Sequence, residues 1–191
     1  MLFCDETIFN TNDTISKWVQ RPPNTDYLPE NTIGYRTHPP KLNAWGCFAY
    51  KGVGTLYTFT ETLDGQLMKS ILNTCLLESA EKLFNLPMQW YLLQDNSRNH
   101  TCPPVREWLH RHGITVLDFP PYSPDLNPIE NLWANVKSRV KNHRPTDVDS
   151  LQDAVHEEWN KTDIEWIHHT VDSMPDRCEQ VIAARGLYIR Y

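Results

Sequence analysis

The thirteen residues from Pro121 to Trp133 read PYSPDLNPIENLW and combine three prolines, two acids and a tryptophan. Asn127 is a favourable N-cap residue, and Pro128 suits the first position of a helix. Glu130 then falls at the third position, where a glutamate side chain can return to the backbone N–H of the cap in a variant of the capping box. On local grounds the stretch starts a helix, and a structural role for Glu130 is favoured over a chemical one.

The helix that begins here carries an apolar stripe and a basic segment. The stripe predicts that the helix packs on a sheet, and Glu130 borders it, so its carboxylate could lie over the strand ends. The segment KSRVKNHR, residues 137–144, holds four Lys or Arg residues and no acid. Such a segment could contact phosphate, although a charged helix face is more often only solvated. The stripe consists of Ile129, Trp133, Val136 and Val140.

Upstream, the segment MLFCDETIF predicts a strand with an acid among apolar residues. Because side chains alternate along a strand, Phe3 and Asp5 share one face, and Leu2 and Cys4 share the other. A buried carboxylate is costly unless it is paired or binds a cation. Asp5 is therefore a candidate site residue.

A second acid, Asp95, stands where the apolar run WYLLQD gives way to the polar NSRNH. The run is apolar on both faces, which is typical of a central strand, and ligands collect at the carboxyl ends of such strands. A single aspartate there more often caps the next turn. Two aspartates on separate strands are less easily explained as turn caps. Converging carboxylates are what Mg²⁺ requires. A pair of such ions can promote phosphoryl transfer.

The remaining pattern predicts an α/β fold with a mixed central β-sheet flanked by α-helices. Two strands fill LNAWGCFAYKGVGTLYTFTETL and join at residues 51–54, and ITVLDF adds another. The five prolines of residues 17–42 predict a long ordered loop or arm. Helices are predicted after the cap Asp64, in CPPVREWLHRHG up to Gly113, and at about 128–142, 148–161 and 163–185.

Composition limits the class of protein. The chain has 191 residues, 40% of them hydrophobic, which fits one domain over 1–191 and not two ordinary ones. Its net charge of −6 argues mildly against nucleic-acid binding, although net charge hides the distribution. No run approaches the roughly 18 apolar residues of a membrane span. Five dispersed cysteines without a CxxC pair are typical of reduced, intracellular thiols, and the histidines form no ligand pattern.

Three blocks in this order, LFCDET, LLQDNSRNH and PYSPDLNPIENLW, resemble the catalytic blocks of mariner-superfamily DDE transposases. The match is to the branch whose third acid is glutamate, because 34 residues separate Asp95 from Glu130. AWGCFAYKGVGTL and SMPDRCEQVIAARGLYIRY are further matches, so the resemblance covers essentially the whole chain. The third block is its most specific part.

The resemblance implies an RNase H-like fold and a catalytic metal-binding triad. Asp5 would lie on the first strand and bridge two Mg²⁺ or Mn²⁺ ions, with Asp95 on the fourth strand and Glu130 on a following helix. The family hydrolyses DNA at the transposon end and then attacks target DNA with the freed 3′-hydroxyl. The implied partners are transposon-end and target DNA and a second copy of the chain on that DNA, in the nucleus, with no membrane and no small-molecule substrate.

The resemblance also sets expectations for DNA contacts and domain organisation. Residues 17–42 correspond to an arm that reaches across a dimer, and residues 163–191 form a C-terminal helix and tail. The N-terminal helix-turn-helix domains of the family are absent from this sequence, so we expect a fragment or truncated product with weak, non-specific DNA binding. Ser97 and Arg98 replace a common alanine-proline. Candidate DNA contacts are Lys137, Arg139, Lys141, Arg144 and Arg98.

Two other functions are compatible with parts of this pattern. A decayed or domesticated relative would bind DNA or protein without catalysis; the intact triad argues against it, and the missing DNA-reading domains argue for it. A stand-alone RNase H-type nuclease would cleave RNA–DNA hybrids, which the specific third block disfavours.

Overall fold

A mixed β-sheet lies at the centre of the structure, a computed structural model that describes residues 1–12, 20–25, 27–28, 37–84 and 89–189. Its central strand, β1 (Leu2–Asn10), pairs antiparallel with β2 (Lys41–Ala49) and parallel with β5 (Tyr91–Leu93). Strand β6 (Thr115–Val116) continues the parallel half beside β5. Residues 17–19, 26 and 29–36 of the predicted arm at 17–42 lie outside the described residues, and the arm stays a prediction.

Helices cover both faces of this sheet, as predicted. On one face, α1 (Gly65–Ile71) runs through a π-helical segment (Leu72–Leu76) into α2 (Leu77–Leu83), and α4 (Pro103–Arg111) lies beside α1. This face buries Leu2 and Cys4 of β1. The other helices are α3 (Arg98–Thr101), α5 (Ile129–Val140), α6 (Val148–Asn160), α7 (Ile164–Asp172) and α8 (Met174–Ala183).

The opposite face of β1 buries Phe3 and Phe9 against α5 and α6, so the predicted alternation along the strand is confirmed. Trp133 of α5 and Trp159 of α6 stack here with ring centres 4.9 Å apart. Gly46 of β2 lies directly beneath them: a Cβ there would stand 2.6 Å from the Trp159 ring and 2.8 Å from the Trp133 ring. The absence of a side chain therefore lets both helices approach the sheet.

The turn predicted at residues 51–54 instead contains a short strand, β3 (Gly52–Val53), and the second predicted strand is reduced to β4 (Tyr57–Phe59). Both pair with β2. The indole N–H of Trp159 donates to the carbonyl of Gly54 over 2.9 Å, and the backbone N–H of Gly54 donates to Cys47 over 2.8 Å. These bonds fix the backbone between the two short strands. The predicted place of the turn was wrong, because the chain already reverses between Ala49 and Gly52, which pair with each other.

The predicted helix at 163–185 is also two helices, α7 and α8, with a break at Ser173. Proline lacks a backbone N–H and its ring clashes with the preceding turn, so Pro175 fits the first turn of a new helix and not the interior of a long one. The break turns α8 back towards the short 3-10 turn Pro124–Leu126 that precedes α5.

Candidate metal centre

Asp5 lies in the middle of the central strand, and its side chain is largely buried. Its Oδ1 accepts from the backbone N–H of Glu6 over 2.7 Å, and its Oδ2 accepts from Nδ2 of Asn127 over 3.3 Å. Burial raises the pKa of Asp5 to about 7, and the neighbouring charge of Glu6 adds to the shift. The carboxylate is thus held in a place where its negative charge is poorly compensated by protein groups.

Asp95 lies two residues beyond the end of β5, and not on a fourth strand as the resemblance implied. Because β3 is an additional short strand, β5 is the fifth strand in the described part of the chain. The Oδ1 atom of Asp95 accepts from the backbone N–H of Ser97 over 2.9 Å and lies 2.6 Å from Nδ1 of His100. The hydrogen bond with His100 lowers the pKa of Asp95 to about 2.

Glu130 occupies the first turn of α5 and is exposed. Its backbone N–H donates to the carbonyl of Asn127 over 3.1 Å. The predicted capping box was wrong: the N–H of Asn127 donates to the carbonyl of Pro124 instead, and Oδ1 of Asn127 accepts from Ile129 over 3.4 Å. Partial burial raises the pKa of Glu130, the Lys137 ammonium opposes this shift, and Asp95 adds to it.

The three acids, which are far apart in the sequence, line one pocket of about 360 Å³. Asn127 and the loop 119–124 complete its wall. Carboxylate oxygens converging on one pocket are the ligands that hard divalent cations prefer. The donor set therefore fits Mg²⁺ or Mn²⁺ better than a soft metal, because no thiol lines the pocket among the described residues.

Tyr122 stands on the rim of this pocket with its ring fully exposed. Its backbone φ of 55° lies in the left-handed region, which is unfavourable for a residue with a bulky side chain. The strained turn therefore presents an aromatic ring beside the three acids.

The C-terminal helices anchor the turn that leads into α5. Arg177 is buried, and its Nη1 donates to Oδ1 of Asn131 over 2.7 Å and to the carbonyl of Asp125 over 3.2 Å. The backbone N–H of Ile189 donates to Oδ2 of Asp125 over 2.9 Å. Sequence reasoning missed these residues, although an arginine in a helix with several apolar neighbours is a recognisable signal for a buried cation.

The five basic candidates occupy different environments. The Nζ atom of Lys137 lies 5.6 Å from the centre of the Phe9 ring. Arg139 faces α6, where its Nε lies 3.1 Å from Oε2 of Glu158 and its Nη2 donates to the Glu158 carbonyl over 2.9 Å. The remaining three, Lys141, Arg144 and Arg98, are exposed, the last of them on α3.

A second group of possible metal ligands comprises His143, Glu157 and Glu158, with ligand atoms within 4.8 Å of one another. Arg139 and His143 contact the carboxylate of Glu158, and Lys161 pairs with Glu157. Arg139 and Lys161 already balance the two acids, so the group is explained as an ion-pair network between α5 and α6.

His100 and Glu6 were not singled out by the sequence reasoning, yet His100 contacts Asp95 of the pocket and Glu6 contacts His100. His100 is buried, with its Nε2 2.7 Å from Oε1 of Glu6. Its hydrogen bonds with Asp95 and Glu6 outweigh the effect of burial and raise its pKa to about 10. Asp95 and His100 are only five residues apart in the sequence, and this short spacing is the signal that could have found the pair.

Comparison with known proteins gives a consistent result. A family model described as DDE superfamily endonuclease matches residues 1–152. The Tc1 transposase of Caenorhabditis elegans is 32% identical over 192 residues, covering all of this chain and 70% of the relative. The Tcb2 transposase of Caenorhabditis briggsae is 31% identical with the same coverage.

Solved structures confirm the RNase H-like fold. The Mos1 transposase paired-end complex matches 99% of this chain with a TM-score of 0.84 and 21% identity, and the Mos1 catalytic domain matches 99% with a TM-score of 0.76 and 20% identity. The chain spans 56% of the first protein and 83% of the second. In the described part of the chain, no helix has the length and hydropathy needed to cross a membrane. The chain belongs to the DDE superfamily endonucleases and is a homologue of the Tc1/mariner transposases.

Proposed function

We propose that Asp5, Asp95 and Glu130 form the metal-binding triad of a DNA transposase catalytic domain that cleaves DNA at transposon ends and joins them to target DNA. The observation that carries this proposal is the convergence of three carboxylates, from β1, the end of β5 and the start of α5, on one pocket. The three carboxylates would be the ligands of two Mg²⁺ or Mn²⁺ ions. Paired-end complexes of Mos1 mariner transposase, which has the same fold, have been solved with Mn and with Mg.

The electrostatics of the pocket support a cation at this place. Burial and nearby carboxylates raise the pKa of Asp5 to about 7, so its charge is unfavourable in the metal-free protein. A bound divalent cation offsets like-charge repulsion and favours the ionised form of its ligands. The donor set and its charge imbalance thus fit the proposed ions.

Bound divalent cations supply the charge that activates a nucleophile and stabilises the leaving oxygen in phosphoryl transfer. The chain's own residues hold the ligands. Asp5 is fixed on the central strand by bonds to both carboxylate oxygens, and Asp95 is fixed through Oδ1. Glu130 is placed by the start of α5, which Asn127 ties to Asp5. These contacts hold Asp5, Asp95 and the start of α5 in fixed places around the pocket.

DNA is the proposed partner, at the transposon end and at the target, and the protein acts as a homodimer on DNA in the nucleus. Solved relatives of the same fold include a Mos1 transposase paired-end complex with the left transposon end. Lys141, Arg144 and Arg98 are exposed and can reach phosphate, and Lys137 lies close enough to Glu130 to affect its pKa. Arg139 is the weakest of the five candidate contacts, because Glu158 already pairs with it.

Cleavage of a duplex oligonucleotide in Mn²⁺ or Mg²⁺ tests the proposal. Asp95→Asn keeps an oxygen that can accept from Ser97 and His100 but loses a charge, so we expect a folded protein without metal-dependent nicking. Asp118→Asn is the matched control, because Asp118 is exposed in the loop after β6 and does not line the pocket. Undiminished cleavage by Asp95→Asn would exclude the proposed triad.

A further inference from the structure

The imidazole of His100 bridges two acids beneath the proposed metal site. The side chain is fully buried; its Nδ1 lies 2.6 Å from Oδ1 of Asp95, and its Nε2 lies 2.7 Å from Oε1 of Glu6. Both ring nitrogens are therefore used by carboxylates. A side chain that only filled space in the core would not need two such polar contacts.

The contacts of Asp95 are directional. In the described part of the chain, both hydrogen bonds made to its carboxylate, from the N–H of Ser97 and from His100, go to Oδ1. Oδ2 is left for the pocket that Asp95 lines together with Asp5. His100 thus selects which oxygen faces a ligand.

Glu6 holds the other end of the imidazole. It follows Asp5 on β1, so its side chain leaves the opposite face of the strand. It does not line the pocket among the residues that the structure describes, and its side chain is 19% exposed. Glu6 therefore acts as a brace from the rigid central strand, and it fixes the plane of the His100 ring.

We propose that His100 is a positioning residue for the metal site: braced by Glu6, it holds Oδ1 of Asp95 so that Oδ2 faces the pocket. This rests on the proposed function, because the ligand of Asp95 is taken to be a divalent cation. Hydrogen-bond partners behind a metal ligand orient it, and their loss typically weakens metal affinity by about 10- to 100-fold. His100 itself does not line the pocket in the described structure and needs no contact with DNA.

The test is the dissociation constant of Mn²⁺ for the whole chain without DNA, measured by calorimetry. For His100→Phe, which keeps the ring but has no donor, we expect binding weaker by about 10- to 100-fold. His100→Asn and His100→Gln form a matched pair, because the Asn amide can reach the place of Nδ1 and the Gln amide that of Nε2. The Asn variant should recover most of the affinity, and the Gln variant should stay close to His100→Phe.

Val105→Ala is the control for stability, since Val105 is fully buried in α4 away from the pocket and its truncation leaves a small cavity. This variant should unfold more easily and bind Mn²⁺ as the native chain does. The proposal is overturned if His100→Phe binds Mn²⁺ within about twofold of the native chain. Should His100→Phe not fold, equal affinities of the Asn and Gln variants overturn it.

Failure of the proposed function has a different signature. If the native chain binds no Mn²⁺, the metal site itself is wrong and the role of His100 falls with it. If the native chain binds Mn²⁺ and Asp95→Asn abolishes that binding, the proposed site stands. In that case, a His100→Phe variant with native Mn²⁺ affinity would overturn only the positioning role of His100 and would leave the proposed metal site intact.

Discussion

The side-chain amide of Asn127 donates to Oδ2 of Asp5 over 3.3 Å, and this bond joins the central strand to the start of α5. The same side chain accepts from the N–H of Ile129 through Oδ1. One buried asparagine thus caps the helix that carries Glu130 and orients the carboxylate of Asp5. The helix start and the metal site are therefore not competing explanations of this stretch, because one residue serves both.

The pH dependence of stability reports the state of Asp5 in the metal-free protein. Its pKa rises from 3.8 to about 7 on folding, so the folded state binds the proton more tightly than the unfolded chain does. The contribution of protonated Asp5 to the free energy of unfolding is complete below pH ~4 and is lost as the pH rises towards ~7. In EDTA at pH 8, we expect Asp5→Asn to exceed the native chain in free energy of unfolding by on the order of 2 kcal/mol.

Urea denaturation at pH 8 and at pH 4 measures this difference, which should disappear at the lower pH. Saturating Mn²⁺ at pH 8 should reverse the order, because only the native carboxylate gains from the cation. Asp118→Asn, in an exposed loop, serves as the comparison. A difference between Asp5→Asn and the native chain that is the same at both pH values would contradict the prediction.

Glu130→Gln separates helix formation from chemistry. The start of α5 depends on the backbone N–H of Glu130 and on Asn127, and not on the glutamate carboxylate. We expect the free energy of unfolding to change by less than about 0.5 kcal/mol, as for other exposed sites. Metal-dependent cleavage should be lost, because the neutral amide lacks the negative charge of the carboxylates through which Mg²⁺ is usually bound.

Glu165→Gln is its matched control, because Glu165 occupies the first turn of α7 and lies outside the pocket. Circular dichroism and cleavage rates measured side by side distinguish the two roles. Loss of helix with retained cleavage in Glu130→Gln would assign the residue to capping alone.

The sequence predicted what depends on local periodicity. The two faces of β1 and the cap Asp64 are confirmed, because each follows from side-chain alternation or from one hydrogen-bonding residue at a helix start. Asp5, Asp95 and Glu130 were selected together by their blocks and spacing, whereas local physics alone favoured capping for the third. Their place in one pocket agrees with that selection, and their role stays a prediction.

What the sequence could not predict depends on contacts between distant segments. The backbone between β3 and β4 is held by the bond from Trp159 to Gly54, which are 105 residues apart. The brace between His100 and Glu6 spans 94 residues. The sequence pattern of a single strand or helix does not reveal such contacts, because the packing of the whole fold decides which distant residues meet.

Arg177 provides a test of long-range support for the site. Its guanidinium bonds to Asp125 and Asn131 on the segment that leads into α5, and to Ser173 within the C-terminal helices. Arg177→Leu leaves these acceptors buried without their donor, so we expect a loss of about 2–4 kcal/mol in the free energy of unfolding. The free energy of unfolding of Arg177→Lys should lie between those of the native chain and Arg177→Leu, because lysine keeps the charge but lacks the planar guanidinium group.

The cleavage rate should fall in Arg177→Leu even at a temperature where the variant stays folded, because Glu130 loses the anchor of its preceding turn. Arg106→Leu is the control, since Arg106 is exposed on α4. Chemical denaturation and cleavage at that temperature provide the measurement. Native cleavage by a folded Arg177→Leu would show that the anchor supports only stability.

Arg139 and Lys141 were both predicted from the sequence to contact DNA, but the structure places them in different environments. Comparing variants of the two residues therefore tests which basic side chains bind DNA. Arg139 pairs with Glu158, so Arg139→Gln should mainly lower the free energy of unfolding, by about 1–2 kcal/mol. Lys141 is exposed, so Lys141→Gln should leave stability within about 0.5 kcal/mol of the native value.

For Lys141→Gln we also expect weaker binding to duplex DNA and a slope of log K against log salt reduced by about 1, because one phosphate contact is lost. Fluorescence anisotropy at several KCl concentrations measures that slope, and urea denaturation measures stability. Arg139→Gln should keep the native slope, since its guanidinium is already engaged within the protein. An equal loss of slope in both variants would mean that Arg139 leaves Glu158 to bind phosphate, and the distinction drawn from the ion pair would be wrong.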